Sequence, residues 1–337
     1  MNIDKIKEYV SNRLVSEQKH PELDLYIYNY TQKVQFERLW DEVTLNCRGL
    51  ILKGNGDIIA RPFPKFFNYE ELTEIPQEPF EVYKKMDGSL GILYWLDNKP
   101  CIATRGSFTS EQATWATEFI QSKDISKLDR NLTYLFEIIY PENRIVIDYK
   151  NKKDLVLLAI RDKQGNEYPL QNLGFTVVEK FEWNNDILSL KDLNINNEEG
   201  FVIKFKSGYR VKLKFAEYVR LHRLITNFSN KSIWECLKNK QDINEYLDRV
   251  PDEFFDWVRK TKNALLVDYL GLEANATEFL RKNKTTGLSR KELAELFKTQ
   301  EHPSILFNMI DGKDYSQYIW KQIKPQFSKP FKNDIDA

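Results

Sequence analysis

The sequence predicts an α+β protein, with a first part rich in antiparallel sheet and a helical part after it. Three observations carry that reading. Short aliphatic and aromatic runs, many of them separated by turn residues, fill the first two-thirds of the chain. Asn55-Gly56-Asp57 and Ser207-Gly208 are hairpin-turn signals, so much of the sheet should be antiparallel. Past about Ala216 the apolar residues adopt helical spacing and strand candidates become few.

In chain order, the first dozen residues form an amphipathic helix, and strands follow over 25–30, 49–52, 80–84, 90–95 and 100–104. Ser110-Glu111-Gln112 opens a second amphipathic helix that runs to about Gln121. Strands resume over 132–140, 144–149, 155–161, 200–205 and 210–215. Helical spacing then marks 219–224, 232–238, 243–247, 253–270, 276–282, 289–298 and 314–323. Periodicity breaks over 226–231, which sets the expected domains at 1–226 and 227–337. The tail, 324–332, is punctuated by proline and should end extended.

Fifty basic residues balance fifty acidic ones. That excludes coating nucleic acid by bulk charge but permits a local basic groove. The longest aliphatic run, 155–160, is far too short to span a membrane, and no membrane partner is expected. Met1-Asn2-Ile3-Asp4-Lys5 is charged and lacks an apolar signal core, so the expected location is cytoplasmic. Cys47, Cys101 and Cys236 lack C-x-x-C spacing and read as free thiols in a reducing compartment. The three histidines are scattered, which argues against a zinc site or a histidine triad. Chemistry must then run on lysine, arginine and carboxylates.

The sharpest feature is Lys85-Met86-Asp87-Gly88-Ser89, lying between two expected strands. Alone it reads equally well as a surface hairpin turn. Downstream, however, Phe136-Glu137 ends one apolar run and Glu199-Gly200-Phe201-Val202 begins another. In Val211-Lys212-Leu213-Lys214, strand alternation puts Lys212 and Lys214 on one face, an arrangement that suits a phosphate. A solvated edge strand would explain those two lysines just as well in isolation.

Lysine, two glutamates and a lysine pair in this order resemble the covalent nucleotidyltransferase superfamily of ATP-dependent ligases and mRNA capping enzymes. Further motifs narrow the resemblance. Tyr28-Asn29-Tyr30, Cys47-Arg48-Gly49 and Arg61-Pro62-Phe63-Pro64-Lys65-Phe66-Phe67-Asn68 precede the lysine. Arg105-Gly106-Ser107, Pro141-Glu142-Asn143-Arg144-Ile145-Val146 and Tyr218-Val219-Arg220-Leu221-His222 follow it. Together, over about 20–225, they resemble the RNA ligase 1 family of T-even bacteriophage type.

The resemblance implies an adenylyltransferase domain over 1–226 and an all-helical C-terminal domain over 227–337, with no OB-fold. Helices following the K-x-K strand disfavour DNA ligases and capping enzymes, which place an OB-fold there. It further implies that Lys85 is the nucleophile that takes AMP from ATP. Arg48 and Lys65, with Tyr28, would hold the β- and γ-phosphates, and Lys212 and Lys214 would clamp the α-phosphate. Arg105 stands where the family pattern has lysine, so fork geometry replaces a point charge. Glu137 would sit at the ribose or the metal's water shell and Glu199 at the metal, Mg2+ or Mn2+. Lys212, Lys214 and the metal are expected to disfavour the Lys85 ammonium. Gly88 would let the backbone approach the nucleotide closely.

The expected partner is RNA with 5′-phosphate and 3′-hydroxyl ends, with tRNA and an end-healing kinase or phosphatase as candidates. A ligase for nicked duplexes or DNA, and a catalytically idle nucleotide- or RNA-binding module, stand as alternatives. Phe66, Trp95, Trp115, Trp234, Trp257 and Trp320 read as core or interface residues. For Phe67, packing under Lys65 is the simplest role.

Overall fold

The computed structural model describes residues 2–184, 186–243 and 252–330. The chain divides into two compact units, Met1–Arg220 and Leu221–Ala337.

The first unit opens with α1 (Ile3–Ser11), started by the Asn2 side chain accepting from the Asp4 N–H. A four-stranded antiparallel sheet follows, in the order β1 (Val15–Lys19), β2 (Leu25–Tyr30), β3 (Arg48–Lys53) and β4 (Ile58–Ala60). Two short helices, α2 (Gln32–Glu37) and α3 (Glu42–Asn46), join β2 to β3. The remaining strands are β5 (Phe67–Asn68), β6 (Phe80–Lys84), β7 (Ser89–Leu96), β8 (Lys99–Ala103), β9 (Thr133–Ile139), β10 (Asp154–Arg161), β11 (Glu167–Tyr168), β12 (Lys180–Phe181), β13 (Gly200–Phe205) and β14 (Arg210–Lys214). They form two five-stranded sheets, β11-β10-β9-β7-β8 and β12-β6-β13-β14-β5. All pairings are antiparallel except β14 with β5.

Alternation along the strands gives the first of these sheets two buried faces. Leu93, Phe136, Ile138 and Leu157 pack under Ala116 and Ile120 of α4 (Glu111–Gln121). Ile92, Leu135 and Ala159 face the opposite way, onto Leu25, Ile27 and Ile51 of the four-stranded sheet.

Helix α5 (Ala216–Asn227) crosses the division between the units, which falls inside it and ahead of the break in periodicity. Beyond it come α6 (Asn230–Lys238), α7 (Asp252–Lys282), α8 (Arg290–Phe297), α9 (Pro303–Ile310) and α10 (Ser316–Gln322). Among the described residues of the second unit, every assigned element is a helix. The Trp234 indole N–H donates to the Trp320 carbonyl (2.8 Å), and Leu293, Phe297 and Leu306 form a small core.

Several expectations need correction. Residues 144–149 form no strand. Their backbone donors are spent elsewhere, since the N–H groups of Val146 and Ile147 each donate to Asp87 Oδ2 at 2.8 Å. The segments 253–270 and 276–282 are one continuous helix, α7. Helix α9, opened by Pro303, was not anticipated, and neither was the edge strand β1, whose last four residues are exposed. The helix expected over 243–247 lies outside the described residues apart from Ile243, as does the end of the tail from 331 onward.

Candidate active site

Strands β6, β13 and β14 lie side by side, and their register builds the site. Val202 pairs with Tyr83 on one side and Lys212 on the other; Lys204 pairs with Glu81 and Arg210; Gly200 pairs with Lys214. Alternation turns each of these sets to one face, while Val211, Leu213 and Ile203 are buried on the other. The exposed face lines a cavity of about 1050 Å³, opposite Glu137, Leu158, Val177 and Val178. Arg48, Phe66, Lys85 and Arg105 also line it. Two positions admit only glycine. Gly200 has φ +137°, and a Cβ there would lie 2.1 Å from the Leu213 carbonyl. At Gly88 a Cβ would meet the Ile138 carbonyl at 2.5 Å, so its close neighbour is β9 backbone.

Lys85 follows β6, and its N–H donates to the Gly200 carbonyl (2.9 Å). Its Nζ donates to Glu199 Oε2 at 2.7 Å, while Glu199 Oε1 takes Lys214 Nζ at 2.8 Å. The Glu199 side chain is 2% exposed, so this is a buried ion triplet. Burial alone would push the Lys85 pKa down, but Glu199, Glu137 and Asp87 outweigh it and the net shift is upward. The expected discouragement of the ammonium at Lys85 is therefore not what this ligand-free arrangement produces, because three carboxylates sit closer than the lysine pair can offset. The depressed lysine is Lys212, brought down to about 7 by burial and by Lys65, Lys85, Lys214 and Arg48.

Lys212, Arg48 and Arg105 of the cavity, and Lys65, which is not among its lining residues, make no ion pair within 4 Å among the described residues, where the other charged groups of the cavity are largely neutralised. Arg48 Nη1 is buried without a hydrogen-bond partner. Phe66 lines the cavity, its ring 5.6 Å from Arg48 Cζ and 5.7 Å from Lys212 Nζ, and it also packs against the core around Ile92 and Leu135. Phe67 does lie under Lys65, with Nζ 5.4 Å from its ring centroid.

Tyr28 is not in the cavity. It is 1% exposed, packs with Ile6, Val43 and Leu50, and donates to Glu17 Oε2 (2.7 Å). A register shift between Tyr28 and Asn29 brings Asn29, Arg48 and Tyr30 toward the site in its place. Tyr30 OH accepts from Arg105 Nη1 (3.2 Å). The Tyr28-Asn29-Tyr30 motif was the signal for this tyrosine, read two residues early.

Glu137, on β9, forms no ion pair among the described residues, and burial pushes its pKa up to about 8. No group of three or more His, Cys, Asp or Glu side chains able to hold a metal occurs among the described residues. The donor set still fits a hydrated hard cation, which binds through one or two carboxylates plus phosphate oxygens. Glu137 is the available carboxylate, whereas both oxygens of Glu199 are occupied by lysines.

Sequence reasoning also missed the far end of the cavity. Glu167, from β11, takes both Arg210 Nη atoms at 2.5 Å and Lys204 Nζ at 3.0 Å, tying the two five-stranded sheets together. Nothing in local periodicity could reveal a contact between strands of different sheets.

A family profile described as RNA ligase matches residues 46–218, which hold Arg48, Lys85, Glu137, Glu199 and the lysine pair. The chain belongs to the RNA ligase family. A relative named "Putative bifunctional polynucleotide kinase/RNA ligase", from Autographa californica nuclear polyhedrosis virus, is 29% identical over 65% of this chain. The match covers 35% of that protein, so the chain spans about a third of the viral relative's length. A Thermovibrio ammonificans protein named "Putative RNA ligase" is 25% identical over 74% of this chain and 70% of its own length. The structure of an archaeal ATP-dependent RNA ligase superposes with a TM-score of 0.52 at 17% identity, covering 78% of this chain and 75% of that one. At that identity the likeness establishes the shared fold. No helix among the described residues is long and apolar enough to cross a membrane.

Proposed function

We propose that this protein is an ATP-dependent RNA ligase that joins 5′-phosphate and 3′-hydroxyl RNA ends through lysyl-AMP and RNA-adenylate intermediates. One observation carries the reading: Lys85, directly after β6, sits at a cavity where Arg48, Arg105 and Lys212 make no ion pair among the described residues. Unneutralised cations beside a nucleophile suit a polyphosphate.

In the first step the Lys85 Nζ, having given up its proton to water, donates its lone pair to the α-phosphorus of ATP. The N–P bond forms, the bond from that phosphorus to the bridging oxygen breaks, and pyrophosphate leaves with the electron pair. AMP then passes to the 5′-phosphate of RNA, and a 3′-hydroxyl displaces it. Lys212 and Lys214 meet the α-phosphate; Arg48, Lys65 and Arg105 meet the β- and γ-phosphates. A divalent cation, Mg2+ or Mn2+, held through Glu137 and, once its lysines move, Glu199, would supply charge neutralisation at phosphorus. Glu199 is well placed to hold the Lys85 ammonium until nucleotide arrives.

The same reading takes residues 1–226 as the adenylyltransferase domain and 227–337 as an all-helical C-terminal domain without an OB-fold, supported by the helices assigned there. A cytoplasmic setting goes with it, and the three unbridged, buried cysteines suit a reducing compartment. Broken tRNA and an end-healing kinase or phosphatase are the partners we propose.

The test is covalent labelling. Wild type, first stripped with pyrophosphate, should acquire label from α-phosphate-labelled ATP, and Lys85→Ala should not, while Lys85→Ala still seals pre-adenylated RNA. A Lys85→Ala protein labelled as strongly as wild type removes Lys85 from this role.

A further inference from the structure

We infer that Tyr30 is a positioning residue that holds Lys65 and Arg105 for the β- and γ-phosphates, and so acts in the reaction with ATP and not in sealing. The inference rests on the ligase reading above.

Tyr30 ends β2 and is anchored there, its N–H donating to the Cys47 carbonyl at 2.7 Å, next to Arg48. It is 7% exposed. Its ring lies 5.4 Å from Lys65 Nζ and 5.3 Å from Arg105 Cζ, and its hydroxyl accepts from Arg105 Nη1 at 3.2 Å. Trp40 meets the Tyr30 ring edge-on at 4.9 Å and lies 5.2 Å from Lys65 Nζ. Phe67 supplies a third ring at 5.4 Å, and Gln35 Oε1 accepts from Lys65 Nζ at 2.9 Å. Lys65 therefore sits in a box of three aromatic rings with one neutral acceptor.

The choice of rings has a physical consequence. A carboxylate would fix Lys65 equally well, but it would cancel the charge. Aromatic faces attract an ammonium through their quadrupole and leave its full charge for an incoming anion. Among the described residues Tyr30 is the one ring shared by both cations, so it also sets their spacing. The anion they would meet is the part of ATP that leaves as pyrophosphate. Lysyl-AMP carries no β- or γ-phosphate, and RNA-adenylate has no γ-phosphate, its second phosphate being the RNA 5′-phosphate, so a defect in the box should fall most heavily on the reaction with ATP.

The experiment uses the full chain as wild type, Tyr30→Phe, Tyr30→Leu and Trp40→Leu. It compares KM for ATP in lysyl-AMP formation with the rate of sealing pre-adenylated RNA. Tyr30→Leu should raise KM for ATP about tenfold, and Tyr30→Phe, which keeps the ring but loses the hydroxyl, about threefold. Trp40→Leu should resemble Tyr30→Phe in size. Sealing of pre-adenylated RNA should stay within about twofold of wild type in each. An equal loss in both reactions for Tyr30→Phe, which preserves the packing, would mean a structural role and overturn the inference. So would an unchanged KM for ATP in all three variants. A wild type that takes no label from ATP would sink the ligase reading itself, an outcome independent of these variants.

Discussion

Glu199 binds Lys85 through one carboxylate oxygen at 2.7 Å and has its other oxygen committed to Lys214 at 2.8 Å. The lysine we propose as nucleophile is thus held as an ammonium inside an ion triplet, and on that proposal nucleotide has to compete with Glu199 for both lysines. Glu199→Ala would leave two partly buried ammonium groups facing each other. Removing one member of a buried pair costs about 3–5 kcal/mol, and the 28% exposure of the Lys214 side chain places the expected loss near the lower end. Urea unfolding at neutral pH measures it, and a loss well under about 1 kcal/mol would show that water already screens the triplet.

Lys212 gives a pH signature of the opposite kind. Its pKa falls to about 7 in the folded protein, against about 10.4 in an unfolded chain, so between those values the unfolded state binds more protons. Stability contributed by this group therefore rises with pH through that window. Lys212→Met removes the dependence, so its stability advantage over wild type should be largest near pH 7 and shrink by about 1–2 kcal/mol by pH 9. Paired denaturation curves across that range test it. The same variant should form lysyl-AMP about 100-fold more slowly, having lost a phosphate contact.

Glu137 stands as a buried carboxylate without an ion-pair partner among the described residues, its pKa up at about 8. If it serves the metal, it ionises when the cation binds, and Glu137→Gln keeps the shape but cannot ionise. Lysyl-AMP formation should drop about 100-fold at low magnesium and recover partly as magnesium is raised. A magnesium titration indistinguishable from wild type would leave Glu137 to the ribose.

Glu167 predicts an acid-sensitive strut. Burial would raise its pKa, but Arg210, with Lys204, more than compensates and the net shift is downward. A depressed carboxyl contributes stability above its unfolded pKa, and that contribution is lost as pH falls through the folded value. Glu167→Gln should cost about 3–5 kcal/mol at pH 7, because Arg210 and Lys204 are left without their partner. The gap between variant and wild type should close as pH drops below about 4. Unfolding midpoints at pH 7, 5 and 3 measure this, and a gap that persists at the lowest pH would place the effect in packing.

The linear sequence alone determined the elements whose signals are local. The strand β2 matches its expected limits, and Ser110 caps α4 as its Ser-Glu-Gln opening implies. Lys212 and Lys214 share a face of β14 because strand period is a property of the backbone, independent of what the strand packs against. The order of Lys85, Glu137, Glu199 and the lysine pair pointed to the superfamily, and the flanking motifs, from Tyr28-Asn29-Tyr30 to Tyr218-Val219-Arg220-Leu221-His222, placed the chain beside its family. Tertiary structure decided everything that depends on which side chains meet across strands. It sent Tyr28 into the core and brought Tyr30 to the cations through a one-residue register shift. It turned 144–149 from an expected strand into a backbone cradle for Asp87. It joined Glu167 to Arg210 across two sheets and set Glu199 beside Lys85. Charge balance at a buried lysine is a sum over neighbours a few ångströms away, and for Lys85 those neighbours range from Asp87, close by in the chain, to Glu199, 114 residues away.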